Sequence, residues 1–250
     1  MTEAISFTIK NKNEDSYNFI SGDDNDLLII ADGISSLKIS AETSNFTTKF
    51  IKENYENGLN LSKIFSIIKD VLLNYAKREN LNPKEMGTTI ICIERIKTKI
   101  NIYWLGNGAI FILQPEHLHI KYRPLVNIIS PDAIFNNLYK HLTPLYNFKP
   151  NFISIELNPP PLIIACSDGI FSQESATIAE DSNKKLWQKY PEEINSLVDD
   201  LINGIKNENL DLKKILNEFK DNIINQIEDD ATIGVIISNE FIEKTKNLKI

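Results

Sequence analysis

The chain has 250 residues, 42% of them hydrophobic, and a formal charge of −7. That is enough apolar material for a substantial core, no linker-like stretch divides it, and the acidic balance excludes the basic footprint of a nucleic-acid-binding protein. No apolar run reaches the ~20 residues of a membrane-spanning helix and Met1 to Phe7 has no charged leader before an apolar stretch, so a soluble cytoplasmic protein with no membrane partner is expected.

In chain order, β-branched and aromatic runs at Ile5 to Ile9, Tyr17 to Ile20 and Leu27 to Ala31 predict strands, separated by polar turn clusters around Asn11 to Asp15 and Ser21 to Asp26. Two helices follow. One starts near Ser40 with Phe46 and Phe50 on one face; the other follows Asn60, with Ile64, Ile68, Val71, Leu72 and Tyr75 at helical spacing. Thr88 to Ile93, Lys99 to Leu105, Ala109 to Leu113 and Leu118 to Tyr122 predict strands whose close spacing suggests an antiparallel meander. Residues 123 to 151, with four prolines, read as irregular. Strands resume at Phe152 to Leu157 and Leu162 to Ser167. Helices are then expected over Ile194 to Ile205 and Leu212 to Ile223, before a last strand at Thr232 to Ile237. Strand blocks alternating with helix pairs predict an α+β layered domain, sheets covered by segregated helices. Cys92 and Cys166 lie in apolar runs and read as core thiols, although Cys166 stands near Asp168.

Three acidic elements stand at strand ends: Asp32-Gly33 after Leu28 to Ala31, Asp168-Gly169 after Ile163 to Ser167, and Asp229-Asp230 before Ala231 to Ile237. A carboxylate at the tip of a buried strand is costly to desolvate unless a positive charge neutralises it, so three that converge imply bound metal. Each Asp-Gly taken alone is an ordinary turn. The three histidines, His117, His119 and His141, lack zinc-type spacing, and carboxylate oxygens suit hard Mg²⁺ or Mn²⁺.

The ordered series Lys10 to Ser16 (with Asn13-Glu14-Asp15), Ala31-Asp32-Gly33, Met86-Gly87-Thr88-Thr89, Leu105-Gly106-Asn107-Gly108, Cys166-Ser167-Asp168-Gly169 and Asp229-Asp230-Ala231-Thr232 resembles the motifs of the metal-dependent protein phosphatases, the protein phosphatase 2C family, in a divergent bacterial type. The resemblance spans nearly the whole chain. It implies a four-layer αββα sandwich, two central antiparallel sheets flanked by helix pairs, as a single domain over 1–250 with a core over 1–240 and a tail over 241–250. It also implies hydrolysis of phosphoserine and phosphothreonine monoesters on proteins, in opposition to a serine/threonine kinase, by a monomer using two Mn²⁺ or Mg²⁺ ions.

By the same resemblance Asp32 bridges both metals, the Gly33 carbonyl joins one of them, and Asp168 and Asp229 complete the other site. Glu14 and Asp15 act on the metals through water. Lys10 stands four residues before Glu14, where the family carries an arginine that grips substrate phosphate; lysine keeps the charge but loses the bidentate fork. Gly87-Thr88-Thr89 serves packing and turn geometry.

Several positions depart from the family. Asn107 replaces the aspartate of a third, weaker metal site, and a neutral amide is a poorer cation ligand. Ile34-Ser35-Ser36 replaces the usual residues after the first Asp-Gly, so Ile34 excludes a histidine-type proton donor there, and no Asp-His element follows the meander. Two alternatives follow from the residues. One is a catalytically weak or inactive phosphatase-like module that binds phosphoproteins. The other is an N-terminal-nucleophile hydrolase in which loss of Met1 frees Thr2.

Overall fold

The computed structural model describes residues 1–9, 13–118, 128–129, 132–134, 137–138, 140–171, 178–180, 186–188 and 192–248. Two antiparallel sheets lie face to face. The five-stranded sheet runs β2 (Asp15–Ile20), β3 (Asn25–Asp32), β4 (Ile90–Ile96), β5 (Lys99–Leu105) and β9 (Asn151–Glu156) from edge to edge. The four-stranded sheet runs β1 (Thr2–Phe7), β13 (Ala231–Ile236), β10 (Leu162–Cys166) and β6 (Ala109–Leu113). Two-residue and three-residue strand pairs, β7 (Ala133–Ile134) with β8 (Asn137–Leu138) and β11 (Ile178–Glu180) with β12 (Leu186–Gln188), stand apart from both sheets.

Helices cover both outer faces, as the layered reading expects. On the five-stranded sheet, α1 (Ser40–Glu56) and α2 (Leu61–Arg78) enclose Leu27, Ile29, Ala31, Ile90 and Cys92 together with Ile64, Ile68 and Leu72. On the other sheet α3 (Glu192–Lys206), α4 (Leu212–Ile223) and α5 (Asn239–Asn247) enclose Phe111, Ile164, Cys166, Ile233 and Val235. Between the sheets a third layer holds Leu28, Ile30, Ile91, Ile93, Ile163, Ala165 and Ile236. Successive strand residues point to opposite faces, and here both faces are covered, which is why Leu27 to Ala31 is apolar without alternation. The sheets approach closely at Gly234, where a Cβ would lie 2.6 Å from Leu28 Cδ1. Both cysteines are buried and unpaired, as expected of core thiols.

Local signals place the helix starts. Asn60 accepts a hydrogen bond from Lys63 N (2.9 Å) ahead of α2, Asp211 from Lys214 N (3.0 Å) ahead of α4, and Ser238 from Phe241 N (3.0 Å) ahead of α5. The tail expected over 241–250 instead carries most of α5, which runs to Asn247 and fully buries Phe241 against the four-stranded sheet.

The meander expectation needs a correction. β4 and β5 do form an antiparallel pair, but β6 pairs with β10 in the opposite sheet. Gly106 and Gly108, at φ of 101° and 108°, turn the chain across the sandwich at this point, a conformation that glycine adopts without a Cβ penalty. The strand expected at Leu118 to Tyr122 falls, beyond Leu118, outside the described residues, and Leu118 itself follows the short turn Pro115–His117.

At one end of the sandwich lies a buried ion pair. Arg95 Nε donates to Asp26 Oδ2 (2.6 Å), both side chains being 2% exposed or less, and Thr2 Oγ1 donates to Asp26 Oδ1 (2.7 Å). Asp26 is the second residue of β3 and Asp32 the last, so the carboxylate cluster occupies the opposite end, about 20 Å away at strand rise. Thr2 is therefore remote from the cluster, and its buried hydroxyl is engaged in the Asp26 hydrogen bond.

Candidate metal centre

The site is assembled where strands of both sheets end. Asp15 begins β2 and Asp32 ends β3, and the two are paired directly across the ladder. Asp168 follows β10, and Asp229 precedes β13. Glu14, Asp32, Gly33, Asp168 and Asp229 line one cavity of about 550 Å³, with Asn107, Lys84, His141 and Tyr146 also in its wall. Asp15 is in hydrogen-bonding contact with Asp32 and lies within the electrostatic reach of Asp168. All the acidic residues singled out in the sequence are thus brought together. Lys10 lies outside the described residues.

Backbone contacts hold these positions. Thr89 N donates to the Asp32 carbonyl (2.7 Å), Thr88 Oγ1 donates to the same oxygen (2.9 Å), and Asp32 N donates to Thr89 Oγ1 (3.2 Å). Gly87-Thr88-Thr89 therefore fixes the strand end that carries Asp32. Gly33 N donates to the Glu14 carbonyl (3.0 Å), and a Cβ at Gly33 would sit 2.8 Å from the Ser40 backbone and 2.9 Å from the Glu14 carbonyl oxygen. Only glycine lets β3, α1 and the Glu14 segment meet so closely.

The sequence reading missed four supporting residues. Asp230, 3% exposed, accepts from Ile9 N (2.7 Å) and Glu14 N (3.0 Å), fastening both flanks of the segment 10–12. Ser167 Oγ donates to Asp15 Oδ2 (2.8 Å) and accepts from Thr232 N (2.9 Å), coupling the two sheets beneath the cluster. Ser40, at the start of α1, donates to Glu14 Oε1 (2.5 Å). His141 enters the wall beside Ile34 and Gly87, its Nδ1 buried without a partner, and burial lowers its pKa below 6.5. A polar neighbour to a motif aspartate was the only available signal for Ser167 and Asp230. His141 belongs to no local pattern.

The electrostatics of the cluster favour a bound positive charge. Burial pushes the Asp15 carboxyl up from 3.8 to about 6, against the lowering effect of the Ser167 hydrogen bond, and Asp15 Oδ1 has no partner at all. Burial, and then the charges of Asp15 and Asp168, raise Asp32 well above the usual carboxylate range. Among the described residues no three acidic, histidine or cysteine side chains already surround one point at ligating distance. Asp32 is instead in hydrogen-bonding contact with both Asp15 and Asp168, an arrangement that favours the protonated carboxyl unless a cation neutralises the group. Asn107 Nδ2 also donates to Asp168 Oδ2, while Asn107 Oδ1 is buried and unpartnered. An all-oxygen set with an orphaned carboxylate oxygen fits hard divalent cations.

A sequence profile of the protein phosphatase 2C family matches residues 9–219. The chain belongs to the protein phosphatase 2C family. This phosphatase also superposes on solved structures: serine/threonine phosphatase Stp1 from Staphylococcus aureus (17% identity, TM-score 0.67, 94% of this chain and 93% of that one) and the catalytic domain of PstP in complex with two manganese ions (16%, 0.62, 94% and 96%). RsbX in complex with magnesium superposes likewise (14%, 0.58, 94% and 92%). At such identities these likenesses show the fold. A sequence search of curated proteins finds no match. No helix among the described residues is long and apolar enough to cross a membrane.

Proposed function

We propose that this phosphatase hydrolyses phosphoserine and phosphothreonine monoesters on proteins, opposing a serine/threonine kinase, at a two-metal site. Asp32, Gly33, Asp168 and Asp229 would hold the ions, with Glu14 and Asp15 acting through water. The observation that carries this reading is the contact of Asp32 with Asp15 and Asp168, in which carboxylates repel in a buried setting and Asp15 Oδ1 has no partner. Such a cluster is unfavourable in metal-free protein and becomes favourable around cations. PstP and RsbX, structurally similar, were crystallised with manganese and magnesium respectively.

When bound, a pair of hard divalent cations supplies a nucleophilic water at neutral pH and neutralises charge on the phosphoryl oxygens. The chain's own groups position and orient. The Thr88 and Thr89 contacts fix Asp32, Ser167 aims the Asp15 carboxylate, and Ser40 and Asp230 fix Glu14 by its side chain and its backbone. Lys10 would give the substrate phosphate a point charge. His141, with its pKa lowered by burial, is neutral at pH 7 and able to donate or accept one hydrogen bond.

The test is release of phosphate from a phosphothreonine peptide and from an aryl phosphate, with Mn²⁺ and with excess chelator. Turnover with Mn²⁺ that chelator abolishes is expected. Turnover indifferent to chelator contradicts the two-metal reading, and metal-dependent peptide binding without turnover selects the phosphoprotein-binding module instead.

A further inference from the structure

The carboxylate cavity needs positive charge beyond what its metals bring. Glu14, Asp32, Asp168 and Asp229 in its wall, with Asp15 against Asp32 behind them, offer five negative charges when ionised. Two divalent cations do not outweigh them, and a phosphomonoester dianion adds about two more negative charges, as a phosphorylated side chain does near neutral pH. A neutral or negative cavity holds such a dianion poorly unless its wall supplies a cation. Among the described residues lining the cavity, Lys84 is the only lysine or arginine.

Its backbone is held beside the site. Lys84 lies in the single turn Pro83–Glu85, where Asn82 Oδ1 accepts from Lys84 N (3.1 Å) and the Asn82 carbonyl accepts from Glu85 N (3.0 Å). The same turn is tied to the segment after Asp32-Gly33: Ile39 N donates to the Glu85 carbonyl (3.0 Å) and Lys38 N to Glu85 Oε2 (3.3 Å). Buried Met86 and the Gly87-Thr88-Thr89 unit that fastens Asp32 follow directly. The turn and the metal-site strand end therefore keep a fixed relation. The Lys84 side chain is exposed and makes no ion pair among the described residues, so no competing carboxylate must be displaced.

We propose that Lys84 contacts the phosphoryl group of the substrate, and the inorganic phosphate product, as the cationic element of the cavity wall. This rests on the phosphatase reading. It adds a phosphate contact that no sequence motif announced, distinct from Lys10.

The test uses the full chain with Mn²⁺ and inorganic phosphate as probe, read both as competitive inhibition of aryl phosphate turnover and by calorimetric titration. Lys84→Ala is expected to raise the phosphate inhibition constant and the KM each by about tenfold, with kcat changed by about twofold or less, as for loss of a charge contact made in ground and transition states alike. Half-maximal Mn²⁺ and thermal stability are expected to stay at wild-type values, and Lys84→Arg to restore phosphate binding. Unchanged phosphate inhibition and KM in Lys84→Ala overturn the proposal, as does a loss of Mn²⁺ affinity with phosphate binding intact. Should wild type show no turnover, the phosphatase reading fails, and the titration still decides Lys84: equal or absent phosphate binding in wild type and Lys84→Ala refutes the contact.

Discussion

Asp15 and Asp32 face each other across the β2–β3 ladder, and the hydroxyl of Ser167 reaches Asp15 from the opposite sheet. Directly opposed like charges destabilise a sheet, and cross-strand neighbours project to the same face. Burial and mutual repulsion raise both carboxyls above the usual carboxylate range, so the pair favours either protons or a cation, which is the physical link between the fold and its expected cations.

The pH dependence follows with a definite sign. The folded pKa of Asp15, about 6, lies above its ordinary 3.8, so in metal-free protein this group contributes stability that is full below 3.8 and lost as pH rises through about 6. Asp32 shifts in the same direction. Cations bind the deprotonated carboxylates, so affinity rises over the window in which metal-free stability falls. Thermal melts should show a larger Tm gain from Mn²⁺ at about pH 7.5 than at about pH 5. An equal gain at both contradicts metal binding by this pair.

Asp32→Asn removes one member of the repelling pair. Denaturant titration of metal-free protein at neutral pH should show the variant equal to or more stable than wild type, by up to roughly 1 kcal/mol. The stabilisation by Mn²⁺ should largely disappear. A variant that is less stable without metal and equally stabilised by it places the cations elsewhere.

Asn107→Asp tests the altered third position. Asn107 donates to Asp168 and presents an unpartnered Oδ1 in the cavity wall, so a carboxylate there adds a hard-ion ligand beside Asp168 at the expense of a hydrogen bond. Titration calorimetry should find two tightly held Mn²⁺ ions in wild type and an additional, tighter event in the variant. A third tight ion in wild type would show that another residue has assumed this role.

The Asp26–Arg95 pair predicts a separation of stability from function. Asp26→Ala leaves a buried guanidinium uncompensated and should lower unfolding free energy by about 3–5 kcal/mol. Because Asp26 lies near the start of β3 and Asp32 ends it, activity per folded molecule should remain near wild type at temperatures where the variant stays folded. A selective loss of Mn²⁺ affinity would show coupling along β3.

Much of this architecture was legible because its strands are covered on both faces and so appear as unbroken apolar runs: Leu27 to Ala31, Leu162 to Cys166 and Ile233 to Ile237. The helix pairs declared themselves by spacing and, for α2, by Asn60; the cap at Asp211 became apparent only in the structure. What the residues did not reveal is where a connection changes sheets. Ala109 to Leu113 has the same pattern in a meander as in the crossing made at Gly106 to Gly108, and only tertiary contact separates the two. α5 was hidden because a nine-residue helix rich in Lys, Glu and Asn carries little apolar period beyond Phe241 and Ile242. In the site, the acidic residues were visible as strand-end carboxylates, whereas Lys84 comes from a single turn and His141 from an irregular stretch, neither with a local signature, and they meet the cavity through packing around Gly87 and Ile39.

The most direct measurement of the central claim is Mn²⁺-dependent phosphate release from a phosphothreonine peptide by wild type and Asp32→Asn side by side, with both shown to be folded by circular dichroism. The two-metal account predicts turnover in wild type, none with excess chelator, and a loss of at least about a hundredfold in the variant, the scale on which outer partners of a metal already act. Equal, chelator-resistant rates in the two proteins would contradict it.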